Sequence, residues 1–193
     1  MRMMNRLNGK RESRNTEGPQ LDVRVIRTNK VFKTHKGGKT ASWSILVCVG
    51  DNKGSVGLGL GKARGIPDAI RKAEEAARAN MFKVPMIGST IPYAIEARSD
   101  TAHVILRPAA PGTGVKAGGA IRACLEACGI HDILSKSIGS RNAINMAYAT
   151  MQCFKDLQHP EDIAARRGIE VKKLMPWLEG ARKEEADNAA YHA

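Results

Sequence analysis

Residues 43–61 read WSILVCVGDNKGSVGLGLG, and residues 67–82 follow as PDAIRKAEEAARANMF. The apolar run 43–49, the turn tetrad Asp51-Asn52-Lys53-Gly54 and the returning segment 55–61 together describe a β-hairpin. Pro67 suits the first position of a helix, and residues 68–82 place Ala69, Ile70, Ala73, Ala76, Ala77 and Met81 along one face. The other face pairs Arg71 with Glu75 and Glu74 with Arg78 at i,i+4 spacing, the ordinary pattern of a solvated, salt-bridged surface. Upstream, Val23 and Val25 alternate with Arg24 and Ile26 on the way to Val31 and Phe32, which adds a strand before the hairpin. Residues 33–39, KTHKGGK, read as the connecting loop. Three strands with a helix across one sheet face make a small two-layer unit.

Gly57, Gly59 and Gly61 strip the side chains from one face of the last strand, so a helix or a nucleic-acid backbone can come close there, and packing against the helix at 68–82 is the favoured reading. A nucleotide-binding loop is excluded by spacing. A P-loop requires glycine and a hydroxyl where Val56 and Ala63 stand, and the dinucleotide fingerprint requires glycine in place of Lys62. Lys62 and Arg64, at the strand's end, remain free to meet phosphate.

Beyond a boundary marked by Pro85 and Gly88, a second unit follows. Strands at 93–98 and 103–107, a proline- and glycine-rich loop at 108–119, a helix at 120–128 closed by Gly129, a strand at 133–138 and a helix at 142–154 give a β-β-α-β-α order. Pro160, Glu161 and Asp162 open a further short helix. The fold class is α+β. Its expected domains are a basic flexible tail at 1–20, a three-stranded sheet with its helix at 21–87, the two-layer β-β-α-β-α unit at 88–168 and a peripheral extension at 169–193.

The chain has 193 residues, 42% of them apolar, which is ordinary globular material. No apolar run reaches the roughly 18 residues of a membrane span, and the start lacks the apolar block of a signal peptide, so a cytoplasmic location is expected. Cys48, Cys124, Cys128 and Cys153 lie in apolar surroundings without histidines at metal-ligand spacing and read as buried thiols.

The formal net charge is +12, and its distribution matters more than its size. Residues 1–65 carry 14 Lys and Arg against 4 Asp and Glu, whereas residues 66–193 carry 17 against 15. A basic tail alone is usually just solvated. From Leu21 onward, however, the charges alternate with strand-like apolar residues and are displayed on a folded surface. Lys30, Lys33, Lys36 and Lys39, with His35, Gly37 and Gly38, suit recognition of a phosphate ridge, because lysines are movable point charges. Aromatic residues make up 4%, too few to suggest a base-stacking platform.

Residues 111–119, PGTGVKAGG, lead into a helix N-terminus and resemble the phosphate loops of small-molecule kinases of the galactokinase and homoserine kinase type. A diverged kinase using Thr113 is therefore one alternative, and a free RNA-binding regulator another. No acid pair lies near the loop, and no catalytic motif is recognisable elsewhere.

Several long motifs in sequence resemble the family of the bacterial-type fifth protein of the small ribosomal subunit: NKVFKTHKGGK at 29–39, CVGDNKGSVGLGLGKAR at 48–64, PDAIRKAEEAARANM at 67–81, PGTGVKAGGAIRACLEACGIHDILSKSIGSRNAINMAYAT at 111–150 and AARRG at 164–168. The resemblance covers roughly residues 21–168. It implies an N-terminal unit similar to double-stranded-RNA-binding domains and a C-terminal unit similar to the kinases without their chemistry. It also implies a structural role in translation at the junction of the subunit's head and body. There the expected partners are small-subunit rRNA, small-subunit ribosomal proteins four and eight, and messenger RNA near its point of entrance, with an influence on translational accuracy.

The same resemblance implies no enzyme activity, cofactor, metal, membrane or small-molecule substrate. Carried over by position, it points to Lys33, Lys36 and Lys39 as rRNA contacts, joined by Lys30, Thr34, Gly37, Gly38, Lys53, Lys62 and Arg64 in the candidate set. It makes Gly112, Gly114 and Arg122 candidates for the protein interface. Lys39 stands where arginine is common in the family, which keeps the charge but forgoes a bidentate contact.

Overall fold

In a computed structural model, residues 21–174 are described. The expected tail at 1–20 lies outside them, as does most of the expected extension at 169–193. The first half runs β1 (Asp22–His35), β2 (Gly38–Gly50), β3 (Ser55–Ala63), α1 (Ile66–Ala79) and β4 (Phe82–Lys83). The second runs β5 (Ile95–Ser99), β6 (Ala102–Pro108), β7 (Val115–Lys116), α2 (Gly119–Cys128), β8 (Ile133–Gly139), α3 (Ala143–Asp156), α4 (Pro160–Arg167) and α5 (Val171–Leu174). The sheets have the orders β1-β2-β3-β4 and β5-β6-β8-β7.

The α+β class is as expected, with differences in detail that have physical causes. The expected loop at 33–39 is almost all strand. β1 continues to His35 and β2 begins at Gly38, paired as Lys33 with Thr40 and Thr34 with Lys39, leaving Lys36 and Gly37 as the turn. The helix ends at Ala79 rather than running to 82, because Phe82 leaves it to pair with Val56 and make β4, a fourth strand in the first sheet. β7 is likewise an added strand, pairing in parallel with β8.

The glycine face of β3 packs against α1. A Cβ on Gly57, Gly59 or Gly61 would lie 2.1–2.2 Å from the carbonyl oxygens of Ala77, Ala73 and Ala69 respectively. Those three alanines, at i,i+4 spacing and fully buried, sit with Ile45, Val47 and Val49 in one core cluster. Small residues on both sides let strand and helix backbones nearly touch.

The larger core joins the two units. Leu46, Cys48, Val56 and Leu58, on the other face of the first sheet, join Ile121, Cys124, Leu125 and Cys128 of α2, Phe154 of α3, and Val104, Leu106 and Ile133 of the second sheet. Both sheets therefore share α2 and α3, and the layers run helix, sheet, helices, sheet. Burying a side chain such as Leu46 or Leu58 is worth roughly 1.5–3 kcal/mol, so this second face contributes substantially. The four cysteines are free and buried. Burial pushes the Cys128 and Cys153 thiols up to about 12, which makes them inert at neutral pH.

Candidate nucleic-acid interface

β3 pairs with β2 only from Trp43 to Gly50, so residues 38–42 and their β1 partners extend beyond the rest of the sheet as a two-stranded ribbon. At about 3.3 Å per residue the ribbon projects roughly 16 Å. Between Asp22 and Asp51 the sequence contains no acidic residue, while Arg24, Arg27, Lys30, Lys33, Lys36 and Lys39 recur at every third position. In a structure of period two, a spacing of three sends successive charges to opposite faces, except that a bulge between Val25 and Arg27 leaves Arg24 and Arg27 on one face, opposite Cys48 and Leu46.

The register assigns these faces. Lys30 opposes Trp43, Phe32 opposes Ala41 and Thr34 opposes Lys39, all on the side of the sheet that carries α1. Lys33, opposite Thr40, lies on the other side, where Lys62 and Asn29 flank Ser44. Arg64 follows just past the end of β3 and is exposed. Lys36 and Gly37 form the tip, and a Cβ on Gly37 or Gly38 would meet nothing within 4 Å. The positive end of the α1 dipole points the same way, since α1 begins beside the end of β3. Lys30, Lys33, Thr34, Lys36, Gly37, Gly38, Lys39, Lys62 and Arg64 are thus gathered at one end of the first sheet.

Lys53 is not among them. It sits in the β2–β3 turn at the opposite end of β2, roughly 40 Å from the tip at the rise of an extended strand. This turn is committed to the second half. The Asn52 and Gly54 N–H groups donate to the Ala127 and Cys128 carbonyls at 3.2 and 2.8 Å, satisfying acceptors that the C-terminus of α2 would otherwise leave open. Asp51 Oδ1 accepts from the Lys53 and Ser55 N–H groups at 2.8 Å each and fixes the turn from within. Arg24 is also engaged inside the protein, by Asp22 at 2.8 Å and by Glu126 of α2.

In the second half, Gly112 and Gly114 adopt left-handed backbone angles, with φ of 84° and 75°, and have open space around them. Exposed Arg122 donates to the Val115 carbonyl at 2.9 Å and borders a shallow groove of about 690 Å³ with Arg24, Asn52 and Glu126. The Thr113 hydroxyl donates to the Ala110 carbonyl at 2.7 Å, so it serves the loop's own turn.

Sequence reading missed Asp132, which holds this loop. Its carboxylate accepts from Ser89 Oγ at 2.5 Å and from the Gly114 N–H at 2.9 Å. Burial pushes the Asp132 carboxyl up, but hydrogen bonds from Ser89, Gly114 and Gly112, together with nearby His131, outweigh burial and hold it below its ordinary value. No sequence motif marks the residue, because its partners are 18 and 43 positions away.

Two family models match the chain: ribosomal protein S5, N-terminal domain, at residues 21–85, and ribosomal protein S5, C-terminal domain, at residues 97–167. The chain belongs to the ribosomal protein S5 family. A relative in this family, small ribosomal subunit protein uS5 of Nocardia farcinica (strain IFM 10152), is 53% identical over 160 residues, covering 83% of this chain and 73% of the relative. The N-terminal S5 match contains the whole basic ribbon, and the C-terminal one contains the loop gripped by Asp132.

Proposed function

We propose that the β1–β2 ribbon holds small-subunit rRNA by its phosphates while the exposed loop and helix start around Gly112, Gly114 and Arg122 join neighbouring ribosomal proteins. As a member of the S5 family the chain is a structural, non-enzymatic component of the small ribosomal subunit and works in the cytoplasm. The observation that carries the rRNA reading is the projecting ribbon, free of acids and charged on both faces. Such a ribbon suits insertion between phosphate ridges, with Lys30 and Lys39 facing one and Lys33, Lys62 and Arg64 the other.

For the second half, the proposed neighbours are small-subunit proteins four and eight, with an effect on translational accuracy and proximity to messenger RNA. The exposure of Arg122 and the open space around Gly112 and Gly114 support this reading.

The test is binding to rRNA in small-subunit particles lacking this protein. Replacing Lys33, Lys36 and Lys39 with alanine should weaken binding and flatten its salt dependence by about 0.7–0.9 in logarithmic slope per lost phosphate contact. The melting temperature should stay the same. An unchanged slope would remove the ribbon from the interface.

A further inference from the structure

Phe32 lies in the middle of the projecting ribbon and is 58% exposed, the most exposed of the large apolar side chains among the described residues. A single exposed apolar residue needs no explanation by itself. The surroundings of this one do. Its cross-strand partner is Ala41, too small to cover the ring. Lys30 Nζ stands 5.4 Å from the Phe32 ring centroid and 5.7 Å from that of half-buried Trp43, so a cation is already held beside the aromatic surface. Lys39, opposite Thr34, is on the same face on the other side of Phe32.

We infer that Phe32 is a stacking platform for one unpaired nucleotide, with Lys30 and Lys39 placed for the phosphates on either side of it. This rests on the reading of the ribbon as an RNA-binding element and adds a base contact to what is otherwise backbone recognition. The pattern requires a partner that is flat and apolar at its centre and anionic at both flanks. An unstacked nucleotide in a strand meets both requirements, because every base has a π-face and every link to its neighbours carries a phosphate. An apolar protein surface would satisfy the ring and leave both lysines without counter-charge. The low aromatic content does not oppose the reading, since a single well-placed ring is enough for one base.

The test uses the full chain bound to small-subunit particles lacking this protein, at several salt concentrations. Phe32→Leu keeps an apolar side chain of similar bulk and removes the ring, and it should weaken binding about ten-fold with no change in salt slope. Phe32→Tyr should bind like the original chain. A photo-reactive phenylalanine at position 32 should cross-link to a single nucleotide. Phe32→Leu binding as tightly as Phe32 would overturn the inference, and so would cross-linking exclusively to protein. If the lysine replacements also leave affinity and slope unchanged, the ribbon itself is not an RNA contact. If they act while Phe32→Leu does not, only the stacking inference fails.

Discussion

β2 ends in a Lys-Gly turn on each side, and the two turns have opposite fates. At one end Lys36 and Gly37 close a ribbon that extends beyond the pairing of β2 with β3. A Cβ on Gly37 would meet no atom within 4 Å. At the other end Lys53 and Gly54 belong to a turn bonded to the C-terminus of α2, and a Cβ on neighbouring Gly50 would lie 1.9 Å from the Ala127 carbonyl oxygen. Glycine next to lysine therefore does not by itself say how a turn is used in the fold. What separates the two is whether the turn's N–H groups are already used by another element.

The largest effect expected from this contrast is on stability. Gly50→Ala drives a methyl into helix backbone that has no flexible end to yield, and should cost about 3 kcal/mol. In a chain of this size that lowers the melting temperature by roughly 6–12 °C. Gly37→Ala should stay within about 0.5 kcal/mol of the original chain. Similar melting curves for the two variants would erase the distinction.

Next comes the loop that shares properties of both turns, exposed like the ribbon yet gripped from beneath by Asp132. Asp132→Asn exchanges charge-assisted hydrogen bonds for neutral ones and should cost about 1 kcal/mol near neutrality. Because folding lowers this carboxyl's pKa, its contribution is complete above the unfolded value and disappears as pH falls through the folded one. The gap between the two melting temperatures should thus close in acid. A gap that stays constant with pH would mean the carboxylate's charge is not what holds the loop.

The smallest effect sharpens the contrast most. Lys53→Ala should leave rRNA affinity and salt slope unaltered, whereas the triple lysine change in the ribbon alters both. A drop in slope with Lys53→Ala would place RNA at both ends of β2.

Much of the fold was legible because its signals are local. The Asp51-Asn52-Lys53-Gly54 tetrad, Pro67 at the start of α1 and Gly129 after α2 each impose their backbone geometry within a few residues, and the structure has the turn, the helix and the left-handed cap, with φ of 93° at Gly129. The glycines of β3 announced a close approach, most simply by the helix that follows, and α1 makes it. One further signal went unused. The run 45–49, ILVCV, is apolar without alternation, as in a strand buried on both faces, and residues 45–49 are all at 0–1% exposure. It foretold that a second layer covers the first sheet.

The sequence by itself determined the local elements, the acid-free spacing of cations through β1 and β2, and the family, since each is written in residues near one another or in motifs in order. Tertiary structure decided which of those cations lie together. Lys53 was parted from Lys36 by the length of β2, Lys62 and Arg64 were brought to the base of the ribbon, and Arg24 was given to Glu126, 102 positions away. The physical reason is that strand pairing and helix docking fix where charges gather, and their partners are far apart along the chain. The open carbonyls at the end of α2 took the N–H groups of the turn at 51–54. The ribbon extends beyond the rest of its sheet, with residues 32–40 exposed.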